Sequence, residues 1–178
     1  PRDRLVVAAG RCADAYCGEV MGVGTSFGRA VAKAQLGAGV KLPTSGAVFL
    51  SVRESDKPQL PALGRLLASM GFKILATRGT ARKLRESGIE VENINKVLEG
   101  RPHCVDAIRS GDVQMVINTA QGAQSVADSF DIRRSALVLG IPHYTTMAGA
   151  RAATHAIAAI RKGPLEVAPL QSYFSGSF

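Results

Sequence analysis

Between residues 47 and 161 the chain alternates short apolar, β-rich runs with segments of helical spacing, and this alternation restricts the fold more than any other feature. Runs at 47–52, 73–77, 89–94, 113–118 and 143–146 read as strands. Between and after them, 61–70, 80–87, 105–110, 132–139 and 149–161 read as helices, four of which stop at Gly71, Gly88, Gly111 and Gly140. Parallel neighbours in a sheet need long connections, so regular strand-to-helix alternation builds a parallel sheet covered by crossover helices. The expected fold is α/β: a doubly wound, mostly parallel five-stranded sheet with flanking helices.

Ahead of this unit, residues 25–36 have helical spacing at Phe27, Val31 and Ala34, with Thr25 or Ser26 to cap the start and Gly37 to end it. Residues 37–46 carry Gly39, Pro43 and Gly46 and read as a linker. Residues 1–17 specify no element and stand as an unassigned tail. The chain opens on Pro1 rather than Met, which reads as a piece of something larger.

Composition narrows the function classes. A hydrophobic content of 46% in 178 residues supplies a folded core. No apolar run nears the roughly 20 residues that span a bilayer, so no membrane partner is expected. Cys12, Cys17 and Cys104 show no CxxC pair and suggest no disulfide framework, which fits a reducing, cytoplasmic setting. A net charge of +8 favours anionic partners. With Trp absent, aromatics at 5% and Lys and Arg scattered, the charge points to small phosphates rather than to nucleic acid. His103, His143 and His155 have no metal-ligand spacing, so no metal is expected.

The residues that follow the strands carry the functional signal. The first strand runs into Ser51-Val-Arg-Glu-Ser-Asp-Lys57, the second into Thr77-Arg-Gly-Thr80, and the fourth into Asn118-Thr119-Ala-Gln-Gly122. A Thr-x-Gly-Thr turn suits a phosphate: glycine lets the backbone approach, the hydroxyls donate, and the next helix presents free N–H groups. Taken alone, Thr80 reads first as an N-cap. Lys57 and Lys96 are candidate charge partners for the phosphate, and each also reads as a solvated surface lysine. Asn118 ends a strand with buried side chains and so needs a hydrogen-bond partner. Gly22-Val-Gly24-Thr-Ser-Phe-Gly28 is only a partial match to a dinucleotide-binding fingerprint.

Several segments, in order and at consistent spacing, resemble the C-terminal end of carbamoyl phosphate synthase large subunits. They are Glu19-Val-Met-Gly-Val-Gly24, Ala32-Lys-Ala-Gln-Leu-Gly37, Ser51-Val-Arg-Glu54 with Asp56-Lys57, Gly79-Thr-Ala81, the segment from Asn95 to His103, Ile117-Asn-Thr119 and Ile132-Arg-Arg-Ser-Ala-Leu137. The resemblance runs from about Gly18 to about Gln171. It implies that 18–45 is a remnant of the preceding synthetase domain with its linker, and that 46–178 is an allosteric domain of the methylglyoxal-synthase-like fold.

By the same resemblance, the phosphate of a nucleotide monophosphate effector such as UMP or IMP would be held by Lys57, Thr77, Thr80 and Lys96. Asn118, Thr119 and Ser129 would complete the pocket, and Thr145, with Thr146 beside it, falls where the family meets ornithine. The resemblance implies no cofactor in this piece. In the whole enzyme it implies ATP and Mg, the rest of the large subunit, a glutaminase small subunit and oligomer contacts. Three departures stand out: Ala120 replaces a second hydroxyl after Asn-Thr, Tyr144 stands where an acidic residue can occur, and Met147-Ala148 replaces an Asn-containing turn.

Two rivals share features of this pattern. Methylglyoxal synthase grips phosphate in a similar way but needs a carboxylate base, and Arg101 falls near that aspartate's place. A guanidinium cannot act as a base at neutral pH. The cyclohydrolase of purine synthesis has a similar Ser-Val start, but the Glu19 to Gly24 segment argues for the synthase.

Overall fold

The computed structural model describes residues 5–13, 16–119 and 123–166. It opens with an antiparallel pair, β1 (Leu5–Ala13) and β2 (Tyr16–Gly24), followed by helix α1 (Phe27–Gly37). The tail over 1–17, whose composition specifies no element, thus supplies one whole strand and the start of another. The glycines of the partial fingerprint have a packing role. A Cβ at Gly22 would lie 2.1 Å from the Ala30 carbonyl oxygen, and one at Gly24 would lie 2.7 Å from the Ala30 nitrogen. They let β2 seat directly on α1, and no phosphate loop is needed to explain them.

Ser26 caps α1 by accepting a hydrogen bond from the Arg29 amide at 3.4 Å. On its far side α1 packs on the last helix, where Val31 and Ala32 meet Ala156.

The main sheet has five strands: β3 (Ala47–Ser51), β4 (Lys73–Ala76), β5 (Glu92–Asn93), β6 (Met115–Asn118) and β7 (His143–Tyr144). They run in the order β5-β4-β3-β6-β7, and every pairing is parallel. The helices are α2 (Leu60–Ser69), α3 (Arg78–Arg85), α4 (Cys104–Arg109), α5 (Ala123–Val138) and α6 (Met147–Lys162). The expected five-stranded α/β sheet is therefore present. Both of its faces are buried, as a parallel sheet requires. Val48 and Leu50 join Leu60, Leu67, Leu84 and Ile157 on one face, while Phe49 and Val116 join Val105, Ile108 and Ile132 on the other. Each such side chain withdrawn from water contributes about 1.5–3 kcal/mol before the entropy of ordering is subtracted.

Some boundaries differ from the sequence reading. A 3-10 helix over Glu54–Gln59 precedes α2, and α5 starts at Ala123, nine residues before the first residue of apolar periodicity. Helix α3 starts at Arg78 with Thr77 as its N-cap, so Thr80 is not the cap. Among the described residues, no helix is long and apolar enough to cross a membrane.

The topology fixes where a ligand can sit. From β3 the chain winds outward through β4 to β5, then crosses back to β6 and β7, so the switch in direction falls between β3 and β6. In open α/β sheets the crevice at that point, at the carboxyl ends of the strands, collects ligand-binding loops.

Candidate functional site

Ser51 and Asn118 are register partners at the carboxyl ends of β3 and β6, one on each side of the switch point. Thr77 closes β4 on the other side of β3, and its amide donates to the Leu50 carbonyl at 3.2 Å. Three loops are thereby drawn to one place. The loop after β3 is pinned from both neighbours: Val52 N–H donates to Thr80 Oγ1 at 3.0 Å, and Arg53 N–H donates to Thr119 Oγ1 at 3.0 Å. Arg53 braces it further through a two-point ion pair with Asp56, at 2.8 and 3.2 Å.

This pinned loop delivers Lys57. The lysine lies in the 3-10 turn with its side chain only 11% exposed, and its ammonium bonds Glu54, whose side chain is 85% exposed. That hydrogen bond holds the Glu54 carboxyl below its ordinary value. A Cβ at Gly79 would stand 3.2 Å from Lys57 Nζ, so the glycine of the Thr-x-Gly-Thr turn is what lets the ammonium lie against the first turn of α3. A buried ammonium whose partner is a solvated carboxylate can exchange that partner for another anion without leaving a charge buried and unpaired.

Hydroxyls line the same spot. Thr77 Oγ1 donates to Thr80 Oγ1 at 3.3 Å and is 3.5 Å from Ser51 Oγ. Thr77 and Thr80 are both buried. The Thr77 side chain makes no capping bond to α3, so it leaves the first-turn amides of that helix to other acceptors.

Across the switch point, Ser129 of α5 donates to Asn118 Oδ1 at 3.4 Å. Asn118 Nδ2 is buried with no hydrogen-bond partner among the described residues, the kind of donor that a ligand oxygen satisfies. Lys57, Thr77, Thr80, Asn118, Thr119 and Ser129 therefore gather at the carboxyl edge of β4, β3 and β6.

Lys96 and Thr145 stand apart from that network. Lys96 follows β5, two strands from β3; its side chain is exposed and its amide donates to Glu99 Oε2 at 3.0 Å. Thr145 is exposed between β7 and α6, and Thr146 caps α6 by accepting from the Gly149 amide at 3.1 Å. The neighbouring Tyr144 hydroxyl is buried without a partner among the described residues, and burial pushes its pKa up to about 12. Ala120, the departure next to Thr119, lies outside the described residues. Sequence reasoning missed the part played by Glu54, because its pairing with Lys57 depends on the 3-10 turn; the i, i+3 spacing of opposite charges was the available signal.

Thr80 carries a structural duty that can be tested apart from any ligand. Thr80→Val removes the acceptor that the buried Val52 amide has among the described residues and is expected to cost about 1–3 kcal/mol of stability. Thr80→Ser should restore most of it, as read by urea unfolding; equal stability of the valine variant and the parent would show that this bond contributes nothing.

Comparison with known proteins places this arrangement. A family model described as MGS-like domain matches residues 60–145. The carbamoyl phosphate synthase large chain of Rhizobium meliloti strain 1021 is 58% identical over 158 residues, covering 88% of this chain and 14% of that protein. The large chain of Mesorhizobium japonicum is 57% identical over 159 residues, with coverages of 89% and 14%. That of Brucella suis biovar 1 is 54% identical over 157 residues, with coverages of 88% and 14%. The chain thus spans 14% of the length of these relatives. The crystal structure of methylglyoxal synthase from Elizabethkingia anophelis NUHP1 shares the fold, with a TM-score of 0.53 at 18% identity, over 75% of this chain and 92% of that one. The parallel sheet, the matched segment and the high identity agree: residues 60–145 match an MGS-like domain, and most of the chain is similar to a part of carbamoyl phosphate synthase large chains.

Proposed function

We propose that this chain is the nucleotide-sensing regulatory segment of a cytoplasmic carbamoyl phosphate synthase large chain, serving pyrimidine and arginine synthesis, and that it holds no complete active site. The observation that carries the reading is the cluster at the switch point: a buried lysine ammonium with a displaceable partner, two buried threonine hydroxyls and an uncapped helix start, all on one crevice. These groups suit a phosphate monoester. Asn118, Thr119 and Ser129 lie across the crevice, where the nucleoside of a UMP- or IMP-like effector would extend. Lys96, on the same edge, adds long-range attraction. Ornithine would meet Thr145 on the face toward the synthetase half. ATP and Mg, together with a glutaminase small subunit, belong in this reading to the whole enzyme.

A methylglyoxal-synthase reading has the fold likeness in its favour, but Arg101 is exposed and paired with Asp106 at 3.6 Å. A cation near the place of the base cannot take a proton from a substrate. The purified chain is expected to release no methylglyoxal from dihydroxyacetone phosphate and to form no carbamoyl phosphate from ATP, bicarbonate and ammonia. Robust methylglyoxal production would reverse the assignment.

Thermal unfolding tests the sensing role. A ligand that binds only the folded state at about 100 times its Kd adds roughly 2.7 kcal/mol, which raises Tm by roughly 5–10 °C for a chain of this size. UMP or IMP should produce such a rise, and no shift with any nucleotide monophosphate up to millimolar concentration would remove the proposal.

A further inference from the structure

The carboxylate that occupies Lys57 has a second cation within reach of its charge. Glu54 and Lys57 pair within the 3-10 turn that follows β3, and Lys57 Nζ lies against the first turn of α3, where a Cβ at Gly79 would stand 3.2 Å from it. Residues three apart on a helix are surface neighbours, so Arg82 continues the side of α3 on which Gly79 and the ammonium meet. Its charge is felt there. The Lys57 hydrogen bond lowers the Glu54 carboxyl most, and the charges of Lys57 and then Arg82 lower it further.

Arg82 is itself loosely engaged. Its exposed Nε stands 3.9 Å from Glu86 Oε1, at the outer limit of an ion pair, whereas Lys83 holds the same carboxylate at 3.2 Å. A new carboxylate at Arg82 therefore leaves Glu86 paired.

We propose that Arg82 is the second seat of Glu54: an anion that takes the Lys57 ammonium sends the Glu54 carboxylate along α3 to the Arg82 guanidinium. The inference rests on the reading of the crevice as a phosphate site and adds to it a residue that touches no ligand. Arg82 is a positioning residue, acting through Glu54. Glu54 and phosphate compete for one ammonium, so a cation that stabilises the displaced carboxylate weakens the competitor and strengthens phosphate binding. The gain is modest. An exposed ion pair shifts an equilibrium by about 1.5- to 5-fold. After the exchange Lys57 holds the phosphate, Arg82 holds Glu54 and Lys83 keeps Glu86, so filling the crevice changes the pairing on the exposed side of α3 and leaves every one of these charges matched.

The test is a double-mutant cycle read as ligand affinity. The full chain, Arg82→Ala, Glu54→Gln and the two combined are titrated calorimetrically with UMP and with inorganic phosphate, and each is unfolded in urea. Arg82→Ala should weaken binding of both probes by about 1.5- to 5-fold when Glu54 is present and leave affinity unchanged in the Glu54→Gln background, where there is no carboxylate to receive. Arg82→Lys should recover most of the loss. Stability should be the same in all of them, since Arg82 and Glu54 are exposed. An equal loss in both backgrounds would make Arg82 a direct attractor of the anion and overturn the hand-over, as would no loss in either. A parent chain that binds neither probe would remove the phosphate site itself, and the hand-over with it.

Discussion

Replacing Lys57 by alanine is expected to weaken the binding of UMP or IMP by at least about 1.5 kcal/mol, more than tenfold, since charge-assisted hydrogen bonds contribute about 1.5–3 kcal/mol. The fold should survive, because Glu54, which the lysine pairs with, is an exposed carboxylate whose loss costs little. Glu54→Gln separates the two roles. If Glu54 holds the ammonium until a phosphate arrives, removing its charge leaves nucleotide affinity equal or higher. If the pair is a structural brace, both variants lose stability together and neither changes affinity selectively. Isothermal titration of parent and variants, beside urea unfolding of each, reads both quantities. Lys96→Ala should lower affinity less than Lys57→Ala and mainly at low salt, because an exposed charge is screened within about 10 Å at 0.1 M salt.

The second large effect belongs to the intact enzyme. An effector bound at the switch point can regulate only through its difference in affinity for two arrangements of this segment against the rest of the large chain. Couplings of about 1–3 kcal/mol correspond to changes of about 5- to 150-fold. In the full-length large chain, nucleotide monophosphate should shift the apparent affinity for ATP within that range, and ATP should shift the nucleotide's affinity by the same factor, as linkage demands. Both constants can be measured by equilibrium binding, each with the other ligand absent and saturating. Tight nucleotide binding with no reciprocal shift would leave a pocket with no regulatory role.

Much of the fold was legible because the punctuation was chemical. Gly71, Gly88, Gly111 and Gly140 all adopt positive φ at helix ends, where only glycine does so without strain. The strands β3 and β6 are apolar up to their last residues, Ser51 and Asn118, as burial on both faces requires. The opening hairpin was not legible, since Ala8, Ala9 and Gly10 give no two-residue alternation and the reason for Gly22 and Gly24 lies in a helix that follows them.

Helix α5 began earlier than its apolar pattern for a related reason. Ser129 in its first half turns toward Asn118 rather than into hydrocarbon, so the hydrophobic period fades where the helix borders the crevice. The crevice residues Lys57, Thr77, Thr80 and Asn118 could be picked out because the polar turns all follow strands, and a parallel sheet brings those turns to one edge. What the sequence could not supply was the division of labour. Thr80 reads first as an N-cap, whereas the structure has Thr80 spent on the Val52 amide and Thr77 at the cap position without a capping bond.

The most direct measurement is a calorimetric titration of the chain with UMP, IMP, uridine, inosine and ornithine under one buffer and salt. One nucleotide monophosphate should bind with one site per chain, the matching nucleoside should bind at least tenfold more weakly for want of the phosphate, and that difference should vanish in Lys57→Ala. Equal affinity for nucleotide and nucleoside, or no binding of either nucleotide, would contradict a phosphate site at the switch point.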